Sequence, residues 1–200
     1  MSRQKNEIRR EMNARRKEVS PGRRRYTAQA IAAHITEGRN IRLVMRAFRV
    51  SLYLSTHYEI PTRYIARAMW EAHREVCVPA WNEMDGRYGL CELQPSTRLI
   101  TGKYGIREPA EQIPVMPWDA DSFILPGLAF DQQGGRLGYG KGIYDSILSE
   151  ANSTAIKIGV CYDWQIFDEP LPHESHDIRV DWVVSDKRVI NCKQARADAR

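Results

Sequence analysis

The chain has no run of about 18 or more apolar residues, so no membrane span is expected. Its four cysteines, Cys77, Cys91, Cys161 and Cys192, form no C-x-x-C pair and have no metal-ligand spacing. A zinc module is therefore not expected, and Cys77 and Cys161, lying in apolar stretches, read as reduced core thiols. The opening MSRQKNEIRREMNARRKE lacks both an apolar core and a small-residue cleavage site, so it does not read as a secretory signal. Glu7, Glu11 and Glu18 argue against a transit peptide, and a cytoplasmic protein is expected. No internal repeat and no low-complexity tract appear, which excludes solenoid and tail-like classes.

What is present suits one soluble globular domain. The chain has 200 residues, 42% hydrophobic and 28% charged, which is enough to bury a core. The net charge of +5 is unevenly spread. Residues 1–25 hold ten Lys or Arg and three Glu, a local +7, leaving −2 for the rest. Such a segment could grip nucleic acid or supply cations to a small polyanion, and most charge runs are solvated helix faces.

Residues 3–18 read as a helix that is sparsely apolar, at Ile8 and Met12. Ser20-Pro21 signals a second helix, to about Glu37, which Gly38 stops. Alternation and strand formers predict a strand over 47–55, and Pro61-Thr62 opens a helix with Ile65, Ala68, Met69 and Ala72 on one face. Strands are expected at 75–81, which Pro79 should end or place at an edge, and at 87–93. The segment 95–118 reads as irregular, and 122–130 as one buried strand. A glycine-rich loop, a helix to about Glu150 and strands at 155–162 and 181–185 complete the chain. Strands alternating with helices, several apolar on both faces, predict an α/β domain with a largely parallel central sheet.

The loop reads RLGYGKGIYD, from Arg136 to Asp145. It follows a strand and precedes a helix, the place where open α/β sheets bind ligands. Glycines let backbone N–H groups face a ligand, while Arg136 and Lys141 add positive charge, so a phosphate-bearing ligand is favoured. Asp145, in the first helical turn, could hold Mg²⁺ against phosphate oxygens. The run matches neither G-x-x-x-x-G-K-[ST] nor G-x-G-x-x-G, and loop physics alone leaves a plain structural turn open.

GLAFDQQGGRLGYGKGIYDSIL resembles the signature of the 5-formyltetrahydrofolate cyclo-ligases, also called methenyltetrahydrofolate synthetases. KNEIR, VSLYLSTHYEIPT, VCVPAW, TGKYGIREP and HESHDIRVDWVVS resemble further segments of that family in the same order, covering nearly the whole chain. The resemblance implies one domain over 1–200 with a basic helical N-terminal segment, 1–37. It also implies a three-layer α/β/α architecture similar to the NagB/RpiA/CoA-transferase-like fold. The implied activity is ATP- and Mg²⁺-dependent conversion of 5-formyltetrahydrofolate to 5,10-methenyltetrahydrofolate in one-carbon metabolism, by a monomer or homodimer.

Carried over by position, Lys5, Arg9 and the run Arg136, Leu137, Gly138, Tyr139, Gly140, Lys141, Gly142, Ile143 and Tyr144 would bind ATP. Arg136, Lys141 and Tyr144 would act in catalysis. Asp145 and Asp177 would hold the metal, although a lone Asp is as readily a cap or surface charge. Leu54, Glu59, Trp81 and Tyr104 would contact folate, with Trp81 equally readable as a core edge and Glu59 as a charge before the Thr62 helix. The other N-terminal cations are expected on solvated surface. One departure stands out: the family loop commonly ends Tyr-Tyr-Asp or Phe-Tyr-Asp, and here Ile143 replaces the first aromatic. A relative acting on another formylated or phosphorylated ligand therefore stays open. Nucleic-acid binding is disfavoured, since the cations lack a groove-reading or aromatic motif.

Overall fold

The computed structural model describes residues 3–37, 47–56, 58–174 and 177–198. Two basic helices come first, α1 (Arg3–Glu18) and α2 (Pro21–Thr36). The Ser20 hydroxyl caps α2 by accepting the Arg23 N–H at 3.2 Å, and Pro21 occupies the first turn, where no N–H is needed. The expected stop at Gly38 lies outside the described residues.

The central sheet has five mutually parallel strands: β1 (Arg49–Ser51), β2 (Glu75–Asn82), β7 (Ser122–Leu125), β10 (Ile156–Val160) and β12 (Trp182–Val184). Antiparallel strands close both sides: β3 (Arg87–Glu92) and β6 (Pro114–Val115) beyond β2, and β13 (Val189–Asn191) beyond β12. The order across the sheet is β13-β12-β10-β7-β1-β2-β3-β6. Neighbouring residues along the strands point to opposite faces and feed separate cores. Val50, Val76, Ile124 and Ile158 join α2 and α3 (Arg63–Glu71) on one face. Cys77, Phe123, Leu125 and Val183 join α4 (Ile143–Ser149) and α5 (Cys192–Asp198) on the other. The domain is thus a mixed α/β structure with a mostly parallel sheet between helical layers, and all four cysteines are buried and unbridged.

Several expected elements are revised. The strand over 47–55 shortens to β1 because the chain after Leu52 finds local partners instead of a ladder. The Tyr53 hydroxyl donates to the Ile60 carbonyl at 2.8 Å, and the Thr62 hydroxyl donates to the Tyr53 carbonyl at 2.5 Å. The run 122–130 is two strands, β7 and β8 (Ala129–Asp131), split at Pro126-Gly127. There the Gln165 amide donates to the Gly127 and Leu128 carbonyls, which the break leaves without ladder partners. β8 belongs to a small second sheet with β9 (Arg136–Leu137) and β11 (Ile166–Phe167).

Pro79 neither ends β2 nor puts it at an edge. Pairing with β1 stops at Cys77, so no ladder bond is due on that side at Pro79. The Trp81 N–H, pointing the same way as a residue 79 N–H would, is taken by the Glu108 carboxylate at 2.9 Å. Within 95–118, expected to be irregular, β4 (Leu99–Thr101) and β5 (Arg107–Pro109) form a small hairpin.

Candidate active site

β1 and β7 are adjacent and parallel, and each chain leaves the sheet just past its carboxyl end. This opens a cleft of about 450 Å³ at the switch out of the sheet, where ligands of such folds sit. Its walls combine Tyr53, Leu54, Thr56 and Glu59 after β1, Pro126-Gly127 after β7, the glycine loop, and α1.

The α1 wall explains the odd composition of that helix. Residues 5, 9, 12 and 16 recur at helical spacing and form its docking face, yet three of the four are cationic. Met12 is buried, as expected, but so are Lys5 and Arg16. The Lys5 ammonium lies 2.9 Å from both Asp177 and Glu174. Burial works against the ammonium, but the two carboxylates outweigh it and its pKa is raised. Asp177 shifts the other way. Burial pushes its pKa up, but the Glu174 backbone N–H and Lys5 outweigh that and hold it below the ordinary carboxylate value. Arg9 donates to the Gly138 carbonyl at 2.9 Å, fastening α1 to the loop.

The loop runs from β9 to α4. Gly140 (φ 86°) and Gly142 (φ 65°), the residue just before α4, are left-handed, a backbone that side-chain-bearing residues rarely adopt. Arg136, its side chain nearly buried, pairs with Asp145 at 2.8 Å, so cation and carboxylate neutralise each other across the first turn of α4. Tyr144 sits beneath Arg136, and burial together with Glu59 raises its phenol pKa well above the ordinary value against the pull of Arg136. At neutral pH it is a proton-bearing donor and not a phenolate base. The Lys141 ammonium rests 3.6 Å from the centre of the Tyr104 ring.

On the facing wall Glu59 is buried, and its Oε2 accepts from the Thr56 N–H and hydroxyl at 2.8 and 3.0 Å. Leu54 lines the same wall. Of the residues expected from the sequence, Lys5, Arg9, the run 136–145, Leu54, Glu59, Tyr104 and Asp177 all line this one cleft. Trp81 does not. It lies one ring behind, edge-on to Tyr88, with the Lys103 ammonium 3.4 Å from its ring centre. Tyr88 in turn stacks on Tyr104. Sequence reasoning missed Tyr53, Thr56, Pro79, Ile106, Pro126-Gly127 and Glu174 in the lining. The Pro-Gly break was the signal for one of them. Among the described residues no three His, Cys, Asp or Glu cluster to hold a metal. Mg²⁺ needs fewer, one or two carboxylates completed by phosphate and water, and Asp145 and Asp177 on a cation-lined cleft fit that donor set.

The sequence pattern of the 5-formyltetrahydrofolate cyclo-ligase family matches residues 1–186. The chain belongs to that family. Among cyclo-ligases bearing the family name, the Escherichia coli protein is 31% identical over 150 residues, 73% of this chain and 82% of its own length. The Haemophilus influenzae protein is 29% identical over 176 residues, 86% of this chain and 92% of its own length. The Mycolicibacterium smegmatis protein is 38% identical over 104 residues, a match spanning half of that relative. A solved Aquifex aeolicus 5,10-methenyltetrahydrofolate synthetase superposes with a TM-score of 0.80 at 30% identity, covering 94% of this chain and 93% of that one. A Mycoplasma pneumoniae 5,10-methenyltetrahydrofolate synthetase has the same fold, with a TM-score of 0.72 at 20% identity. Cyclo-ligase family membership makes the chain a ligase by class, and no helix among its described residues is long and apolar enough to cross a membrane.

Proposed function

We propose that this chain closes 5-formyltetrahydrofolate to 5,10-methenyltetrahydrofolate, converting ATP to ADP and phosphate. The observation that carries the reading is convergence. In a member of this family, a cationic glycine loop and a buried carboxylate wall, distant in sequence, face each other across one cleft.

A formamide carbon is a weak electrophile and its oxygen a poor leaving group. In the proposed reaction the formyl oxygen attacks the γ-phosphorus of ATP, the bond to ADP breaks, and an imidate phosphate forms. Nitrogen 10 then attacks the activated carbon and gives up its proton as phosphate departs and the five-membered ring closes. Phosphoryl transfer asks the protein chiefly for position and charge neutralisation. Arg136 and Lys141 supply that charge beside the loop, Lys5 and Arg9 extend it along α1, and protonated Tyr144 donates a hydrogen bond. Glu59, fixed by Thr56, accepts from the N–H-bearing edge of the reduced pterin, with Leu54 and the Tyr104 face beside it. Asp145 and Asp177 would hold Mg²⁺, which when bound neutralises charge on the phosphate oxygens. Both carboxylates are paired with Arg136 and Lys5 in this structure, so nucleotide binding exchanges those ion pairs for ligand contacts.

The test is the near-ultraviolet absorbance of the methenyl product from 5-formyltetrahydrofolate and pure, folded protein with Mg²⁺. Growth that requires ATP is expected, and its absence refutes the reading. One observation keeps a second reading, a relative acting on another formylated or phosphorylated ligand: Ile143 lines the cleft where the family commonly has an aromatic. Turnover of such a ligand without turnover of 5-formyltetrahydrofolate would favour it. The nucleic-acid reading is weakened but not removed, because Lys5 and Arg16 of the basic segment are buried while Arg10, Arg15, Lys17, Arg23 and Arg25 remain exposed.

A further inference from the structure

Arg16 belongs to the cations expected on solvated surface, yet only 2% of it is exposed. It is not among the residues that line the cleft; it stands behind them, beside a small void shared with Tyr53, Glu59 and Gln165. Each guanidinium nitrogen has a separate neighbour. Nε donates to the Tyr58 carbonyl at 3.0 Å, Nη1 donates to the Tyr139 hydroxyl at 3.1 Å, and Nη2 lies 4.0 Å from Glu59 Oε1. Tyr58 and Glu59 belong to the carboxylate wall, and Tyr139 belongs to the glycine loop. Glu59 is thereby held from two sides, its other oxygen being fixed by Thr56.

We propose that Arg16 is a positioning residue that locks the Glu59 wall and the glycine loop in one fixed relation without touching either ligand. The inference rests on the reading of the cleft as a nucleotide site facing a pterin site. A planar guanidinium suits this task because its donors point in fixed directions, so moving one wall strains the bond to the other. An in-line transfer between two bound ligands depends on how those walls are registered. A loose clamp should therefore slow turnover as well as weaken binding. The Arg15 and Arg24 guanidiniums lie over other rings, Trp164 and Tyr58.

The experiment is a pair of double-mutant cycles on the full chain, Arg16→Lys with Glu59→Gln and Arg16→Lys with Tyr139→Phe, read by steady-state kinetics and thermal melting. Arg16→Lys keeps the charge and most of the stem, so a role limited to burying a cation would be rescued. The expected result is a folded variant with KM for 5-formyltetrahydrofolate raised about tenfold and kcat lowered about tenfold, the loss of one charge-assisted bond and its geometry. Its effect should shrink by more than half in the Glu59→Gln and Tyr139→Phe backgrounds, because the contacts it works through are already gone. Tyr139→Phe removes one acceptor of the buried guanidinium from a half-exposed side chain, so that arm reports even if Arg16→Lys folds poorly: kcat should fall severalfold while the melting temperature drops only modestly. Full additivity in both cycles, or wild-type kinetics for Arg16→Lys, overturns the clamp. Wild-type protein that turns over no 5-formyltetrahydrofolate overturns the parent reading and the clamp with it, whereas active wild type with additive cycles overturns the clamp alone.

Discussion

Asp177→Asn probes the ion pair that closes one end of the cleft. The substitution keeps shape and an oxygen that can still accept the Glu174 N–H, so it isolates the charge. The Lys5 side chain is 6% exposed, and of its two carboxylate neighbours at 2.9 Å it then keeps Glu174, whose side chain is 47% exposed. Stripping one partner from a fully buried pair costs about 3–5 kcal/mol. With Asp177 itself 21% exposed and Glu174 remaining, about 1–2 kcal/mol is the reasonable share. For a chain of this size that lowers the melting temperature by roughly 2–8 °C. The pH dependence sharpens the test. Asp177 is held below its ordinary value, so its contribution is complete above the unfolded pKa of about 3.9 and is lost as pH falls through the folded value. Melting curves of wild type and variant should therefore differ at pH 7 and converge as the pH drops from about 5 to below 3. A gap unchanged at low pH would place the loss in packing and refute the electrostatic account. Lys5 titrates far above this window, its pKa being raised, and does not confuse the reading.

Three further outcomes are expected. Lys141→Ala should lower kcat by about 100-fold or more, the effect of removing one transition-state charge contact, while melting temperature stays within about 2 °C because Lys141 is exposed; near-normal turnover would remove it from phosphoryl transfer. Glu59→Gln should raise KM for the folate about tenfold or more and leave KM for ATP within a factor of about two, measured by varying each substrate in turn. Gly159→Ala should destabilise by about 1–3 kcal/mol in denaturant titrations, since a Cβ at 159 would stand 2.2 Å from the fully buried Phe130 ring; a wild-type midpoint would mean Phe130 has room to move.

Local signals were enough where the physics is local. Ser20-Pro21 starts α2 because a hydroxyl cap and a residue with no N–H suit the same turn. The glycine run was legible because left-handed backbone at Gly140 and Gly142 selects glycine whatever surrounds it. Charge at Arg136, Lys141 and Asp145 sits in the same short segment, so its chemistry could be read directly. Less was legible where a partner from elsewhere decides. Pro79 reads as a strand breaker until Glu108 takes the neighbouring N–H and β1 stops short. Short strands such as β4 and β9 carry too few residues for a periodic pattern to emerge.

The helices of the basic N-terminal segment, the parallel-sheet class and the loop with its cations follow from nearest-neighbour preferences and hydrophobic period, which a sequence carries in full. The docking of α1 does not. Its docking stripe of Lys5, Met12 and Arg16, buried, with half-buried Arg9, looks like a solvated face, because burying a cation is tolerable only beside anions and carbonyls. Those partners, Asp177, Glu174, Gly138, Tyr58 and Glu59, lie far away in the chain. Only the tertiary structure brings them to α1, and with them the closed wall that makes the loop part of a cleft.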